Sequence, residues 1–275
     1  MSRADVLISA EDLAGSLSEV DLLDVRWRLG EPAGAGRERY LAAHLPGARF
    51  LDLESVLTRH GAPSDGRHPL PSAAQLAAGL GALGVGGHRP IVVYDEPGSF
   101  AAGRAWWVLA WAGLEVRVLD GGITAWLAEG RPVESGDVVA APVRLSLTTG
   151  HLPIVDADGA AEYPGAGVLV DVRAPERYRG ETEPIDPVAG HIPGAVNLPV
   201  AGFFAADGRL PGDLVLDERL AATKGREVAV YCGSGVSAAQ VILALAARGR
   251  PAALYPGSWS AWSNDPSRPV ATGSD

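Results

Sequence analysis

Short apolar runs recur along the chain, each carrying an acid or a tyrosine near its C-terminal end, and longer stretches with helical spacing separate them. Val20–Val25 and Val168–Val172 are one such pair, with Asp24 and Asp171 at their ends. Val92–Tyr94 and Val228–Tyr231 form a second pair, Val116–Leu119 and Ala252–Tyr255 a third. Runs this short and this apolar predict strands buried on both faces. Helical spacing falls on Ser72–Leu80, opened by Ser72 after Pro71, and on Ala101–Ala112, Ile123–Glu129 and Val236–Arg248, the last stopped by Gly249 and Pro251. The alternation predicts an α/β fold of mostly parallel sheets flanked by helices. Ligands of such sheets sit beyond the carboxyl ends of the strands.

The pattern also occurs twice. Asp24-Val25-Arg26 returns as Asp171-Val172-Arg173, and His44-Leu45-Pro46-Gly47-Ala48 as His191-Ile192-Pro193-Gly194-Ala195, with the same interval from Asp to His in both copies. Ile91–Tyr94 matches Val228–Tyr231, and Gly121–Trp126 matches Gly257–Trp262. A period of roughly 140 residues is far too long for a solenoid and marks a tandem duplication of whole domains. Pro132, Gly136, Pro142 and Gly150 break the sequence between the copies. We therefore expect one domain over 1–135, a linker over 136–150 with a short strand around Val143–Leu147, and a second domain over 151–275.

Composition narrows the chemistry. The 275 residues carry a net charge of -10, which argues against a nucleic-acid surface. The longest apolar stretches, Ala105–Leu114 and Ala238–Ala247, fall short of the roughly 18 residues needed to cross a bilayer. The start of the chain lacks the pattern of a secretory signal, so a cytoplasmic protein without membrane partners is expected. There is one cysteine, Cys232, which rules out an internal disulfide and a cysteine-rich metal site.

Cys232 follows the predicted strand Val228–Tyr231 directly, and Gly233-Ser234-Gly235 joins it to the predicted helix beginning near Val236. Glycines let backbone N–H groups turn inward, and the helix N-terminus adds partial positive charge, so the loop suits a sulfur anion. In the first copy Tyr94 is followed by Asp95-Glu96-Pro97-Gly98-Ser99: the loop is kept and the nucleophile is absent. The repeated Asp24/Asp171, Arg26/Arg173 and His44/His191 occur in both copies, so a shared scaffold accounts for them better than catalysis does. Trp106, Trp107, Trp111 and Trp126 have core spacing, which leaves Trp259 or Trp262 as a wall of the pocket.

These motifs, together with Gly66-Arg67-His68-Pro69-Leu70-Pro71, Arg177-Tyr178-Arg179-Gly180 and Cys232-Gly233-Ser234-Gly235-Val236-Ser237-Ala238, resemble the tandem-domain rhodanese-like sulfurtransferases over nearly the whole chain. The resemblance implies two rhodanese-like domains, the first inactive, and a Cys232 that carries sulfane sulfur as a persulfide. It implies a small anionic sulfur donor, bound by Arg177, with Arg179 near enough in sequence to help, and by the loop Gly233, Gly235, Val236 and Ser237. Family members with an uncharged loop like this one favour 3-mercaptopyruvate over thiosulfate. In those enzymes a histidine matching His68 works with the loop serine, here Ser234, and an acid, here Asp52 or Glu54. They also carry an Arg before the second His-Ile-Pro-Gly, where this chain reads Glu183-Pro184-Ile185-Asp186-Pro187, and many members have Asp where this chain has Pro256. With no second thiol to discharge it, the persulfide must pass to an external thiol, thioredoxin or cyanide. No metal or organic cofactor is called for. Two other readings stand beside 3-mercaptopyruvate sulfurtransfer: a thiosulfate:cyanide sulfurtransferase using the same cysteine, and a non-catalytic persulfide carrier. A cysteine phosphatase is disfavoured, because the position six residues after the cysteine, where its Arg would stand, is Ala238.

Overall fold

A computed structural model describes residues 1–274, organised as two parallel sheets. The first contains β1 (Leu7–Ile8), β2 (Asp21–Asp24), β3 (Arg49–Phe50), β4 (Ile91–Tyr94) and β5 (Val116–Leu119) in the order β1-β5-β4-β2-β3. The second contains β6 (Val168–Asp171), β7 (Val196–Asn197), β8 (Val228–Tyr231) and β9 (Ala253–Leu254) in the order β7-β6-β8-β9. The duplication holds in three dimensions. β2 pairs with β3 and β4 as β6 pairs with β7 and β8, and a lone parallel bridge from Ile154 to Leu254 stands where β1 meets β5. β2, β4, β6 and β8 are buried along their full length, as continuous apolar runs require.

The repeated polar residues are scaffold in both halves. The Arg26 guanidinium grips both Asp24 carboxylate oxygens at 2.7–3.1 Å, and Arg173 does the same to Asp171 at 2.6–3.1 Å. His44 stacks on Tyr40 and hydrogen-bonds its carbonyl at 2.9 Å; His191 does so with Tyr178 at 2.7 Å. These charges are buried, where only a bidentate partner offsets their desolvation.

The halves meet through the two helices that follow the equivalent loops, Ala101–Trp111 and Val236–Ala247. Both are apolar nearly all round and contribute to one core cluster with strands of both sheets. Close approach is set by Gly103, where a side chain would collide with Gln240. No helix among the described residues is long and apolar enough to cross a membrane.

Between the halves, the expected strand at Val143–Leu147 does not form. The segment runs extended across the first half with Val143 N–H on the Gly81 carbonyl at 2.9 Å, and Leu145 and Leu147 pack on the core. Its backbone bond goes to a helix carbonyl and not to a strand, so the apolar alternation forms a strap.

Candidate active site around Cys232

β8 delivers Cys232 to the carboxyl edge of the second sheet, and the turn Gly233–Gly235 carries the chain into helix Val236–Ala247. Gly235 has φ +80°, a left-handed conformation that lets its N–H face back toward the sulfur. Cys232 Sγ accepts from Gly235 N–H at 3.0 Å and from Ser234 N–H at 3.4 Å, and the residue is 2% exposed. The loop is fastened from behind by Gly257–Ser260. Ser258 Oγ accepts from Cys232 N–H at 3.2 Å, while the N–H groups of Trp259 and Ser260 donate to the Cys232 and Gly233 carbonyls at 3.0 and 2.9 Å. Ser258 adopts φ +52°, alone among the described non-glycine residues in the left-handed region. Its counterpart in the first half is Gly122, at φ +56°.

A cleft of about 380 Å³ opens over the sulfur. Cys232, Gly233, Ser234, Val236 and Ser237 line it, as do Arg177 and, from the first half, Arg67, Trp27 and Phe100. Trp259 and Trp262 do not. Both are buried in the core, where their indole N–H groups donate to the Val188 and Pro269 carbonyls. The aromatic wall of the cleft is instead Trp27, whose ring meets His68 edge-on at 5.3 Å.

His68 is buried behind Ser234. Its Nδ1 lies 2.7 Å from Ser234 Oγ and its Nε2 lies 3.3 Å from Glu54 Oε1. Of the two acids expected to orient the imidazole, Glu54 does so, and the hydrogen bond from His68 holds its carboxyl below the usual carboxylate range. Asp52 is occupied as the cap of helix Leu53–Val56, accepting from Ser55 N–H at 2.8 Å.

Arg177 and Arg179 part company. Arg177 projects into the cleft with Nε and Nη2 on Glu183 and Nη2 also on Asp186, at 2.6–3.2 Å. Arg179 is paired with Glu181 at the surface and lines a different depression, with Tyr178 and Asn197. Residues two apart at the end of the single-turn helix Pro175–Tyr178 face opposite ways, so one lies at the site and the other does not.

Arg104, which no sequence motif marks, is fully buried between the halves. It donates to the carbonyls of His68, Leu57 and Gly235 at 2.9, 3.2 and 3.3 Å, tying the histidine's backbone to the cysteine loop. Desolvation pulls its guanidinium down to about 10, an effect opposed by the negative charge available at Cys232. In the first half, Asp95 stands where the cysteine would be and accepts from Ala102 N–H at 2.9 Å. Burial pushes its carboxyl up to about 7.

The description "Rhodanese-like domain" matches the chain twice, at residues 9–129 and 156–265. A Mycobacterium tuberculosis protein named as a putative thiosulfate sulfurtransferase, SseB, is 46% identical over 99% of both chains. A Pseudomonas aeruginosa protein named as a probable 3-mercaptopyruvate sulfurtransferase is 44% identical over 99% of this chain and 100% of its own. Among solved structures, the 3-mercaptopyruvate sulfurtransferase of Escherichia coli superposes with a TM-score of 0.81 at 30% identity, covering 92% of this chain and 98% of that one.

Proposed function

The chain belongs to the rhodanese-like sulfurtransferases, and from that premise we propose that it moves sulfur from 3-mercaptopyruvate through a Cys232 persulfide to an external thiol, thioredoxin or cyanide. In the first step the thiolate attacks the donor's sulfur. An S–S bond forms, the C–S bond breaks, and its electron pair leaves on carbon as the enolate of pyruvate. The proton the donor's thiol gives up as the persulfide anion forms is the one the enolate takes, so the step balances without any other acid. Ser234 and His68 relay that proton, with ionised Glu54 orienting the imidazole. Loop N–H groups from Gly233 to Ser237 stabilise the persulfide anion, and in the second step the acceptor attacks the outer sulfur and releases the Cys232 thiolate.

The observation that carries this reading is the 2.7 Å approach of His68 Nδ1 to Ser234 Oγ beside the nucleophile. A carbanion leaving group needs a proton delivered; sulfite, which leaves from thiosulfate, does not. Thiosulfate is the second reading, favoured by the name of the 46% identical relative. Parallel steady-state kinetics with a common acceptor test the choice: kcat/KM is expected to be higher for 3-mercaptopyruvate, and a clear preference for thiosulfate overturns it. Sustained pyruvate release over many turnovers is also expected. A pure carrier would release one equivalent and stop.

A further inference from the structure

Two guanidinium groups, one from each half, converge on the residue that follows the nucleophile. A methyl carbon placed on Gly233 would lie 2.9 Å from Arg67 Nη2 and 3.6 Å from Arg177 Nη1. Absence of a side chain at Gly233 is what lets Arg67 approach, while Arg177 stands at ordinary contact distance. Arg67 is held through one nitrogen and Arg177 through two, while Arg67 Nε is buried without a partner among the described residues. Arg67 Nη1 is bonded to Asp186, and Arg177 binds Glu183 and Asp186 through Nε and Nη2. Asp186 and Glu183 are nearly inaccessible, at 2% and 3% side-chain exposure; together they grip the Arg177 fork, and Asp186 alone holds Arg67. Arg67 Nη2 and Arg177 Nη1, the nitrogens nearest Gly233, make no hydrogen bond among the described residues. Arg67 is rigid at its backbone too, since its N–H donates to Ser260 Oγ at 3.1 Å, on the segment that fastens the cysteine loop.

Two fixed, unspent N–H donors on separate cations suit a planar anion with two oxygens. A ligand whose sulfur reaches Cys232 and whose carboxylate stands a methylene and a carbonyl away would place that carboxylate over Gly233. We infer that Arg67 and Arg177 form a carboxylate clamp built across the two halves, with Arg67 as a binding and specificity residue for a 2-oxo acid donor. This inference rests on the 3-mercaptopyruvate reading for its donor and on geometry for its residues. Asp186 is shared between the two forks and sets the spacing of their free nitrogens. Neutralising Arg67 alone leaves this acid with Arg177 as its one cation.

The test measures kcat and KM for 3-mercaptopyruvate, and separately the Kd of pyruvate, which carries the carboxylate without the reacting sulfur. Wild type is compared with Arg67→Met, Arg67→Lys and the double variant Arg67→Met/Asp186→Asn, in which no buried acid loses its partner. Losing one charge-assisted hydrogen bond predicts KM and pyruvate Kd both raised about 10- to 100-fold in the two Met variants, with kcat changed less than about threefold. Lys should recover part of the loss, since it restores charge without the fork. A merely structural Arg67 would lower stability or kcat and leave pyruvate Kd alone. Pyruvate Kd within about twofold of wild type in both Met variants overturns the clamp. Failure of wild type to turn over 3-mercaptopyruvate overturns the donor reading instead, and pyruvate Kd still decides the clamp.

Discussion

Ser258 is held in a backbone conformation that favours glycine over most other residues, and the duplicated half uses glycine at the same place. The strain of a left-handed residue is about 1–2 kcal/mol. Replacing Ser258 by Gly removes it, less the roughly 0.5–1 kcal/mol that glycine's extra chain entropy takes back. The same change removes the hydroxyl that accepts from Cys232 N–H at 3.2 Å and donates to the Tyr255 carbonyl at 2.9 Å. An unsatisfied buried N–H costs about 1–3 kcal/mol. The opposing effects leave Ser258→Gly within about 1 kcal/mol of wild type or somewhat below it. Ser258→Ala keeps the strain and loses the same hydrogen bonds, so it should be less stable than the Gly variant by about 1 kcal/mol.

Urea unfolding of the three proteins measures these differences, and a single-turnover assay of pyruvate release measures the cost to chemistry. Unpinning the backbone of the nucleophile should slow persulfide formation roughly tenfold or more in both variants. The outcome that refutes the reasoning is a Gly variant more than about 1 kcal/mol more stable than wild type with an unchanged single-turnover rate. In that case the hydroxyl would hold nothing that matters and the strain would serve no purpose.

Cys232→Ser should abolish turnover with every donor, and mass spectrometry of wild type after donor treatment should find no more than one persulfide per chain, because Asp95 occupies the other loop. Ser234→Ala and His68→Asn should each lower kcat for 3-mercaptopyruvate by about a hundredfold while changing thiosulfate turnover less than about threefold; equal losses with both donors would rule out the proton relay. Asp95 titrates near 7 in the fold, above its ordinary value of 3.8, so the folded state binds the extra proton and wild-type stability falls as pH rises from about 4 to about 7. Asp95→Asn should therefore match wild type near pH 4 and exceed it above pH 7 by an amount of order 2 kcal/mol, since the carboxyl is partly open to a cleft and a full shift would give about 4. A pH-independent difference would refute that assignment.

The parts of the site that lie close together along the chain are legible in the sequence alone. Cys232 sits between an apolar run and a helical pattern, and the parallel sheet requires the turn between them to face ligand. Two-residue strands such as Arg49–Phe50 and Val196–Asn197 are too short for any periodicity and emerge only from pairing with β2 and β6. Arg67 is illegible for another reason: it stands next to a histidine that a motif marks, yet reaches Gly233 across the whole intervening chain. Spacing reports neighbours on one element and says nothing about juxtaposition between halves. Two fainter signals do exist. Aligning the copies sets Ser258 against Gly122, and a serine where its twin needs glycine points to a strained, occupied hydroxyl. Arg104, amid the apolar helix Ala101–Trp111, is a charge with no neighbouring acid on that helix, so its partners have to lie elsewhere.

Arg104 also redefines what the thiol-less half is. Its three carbonyl acceptors belong to Leu57, His68 and Gly235, so one buried side chain stitches the imidazole's own segment to the sulfur's. The second half alone would keep Cys232 and lose His68, Arg67 and Trp27 from around it, and it would expose the apolar helix Val236–Ala247. Relative to the cysteine, the copy without a thiol is placed as a prosthetic group made of polypeptide would be: it arrives covalently attached through the connector and sets its own side chains beside a sulfur it does not carry. Duplication in this chain has given the Cys232 cleft walls from both copies.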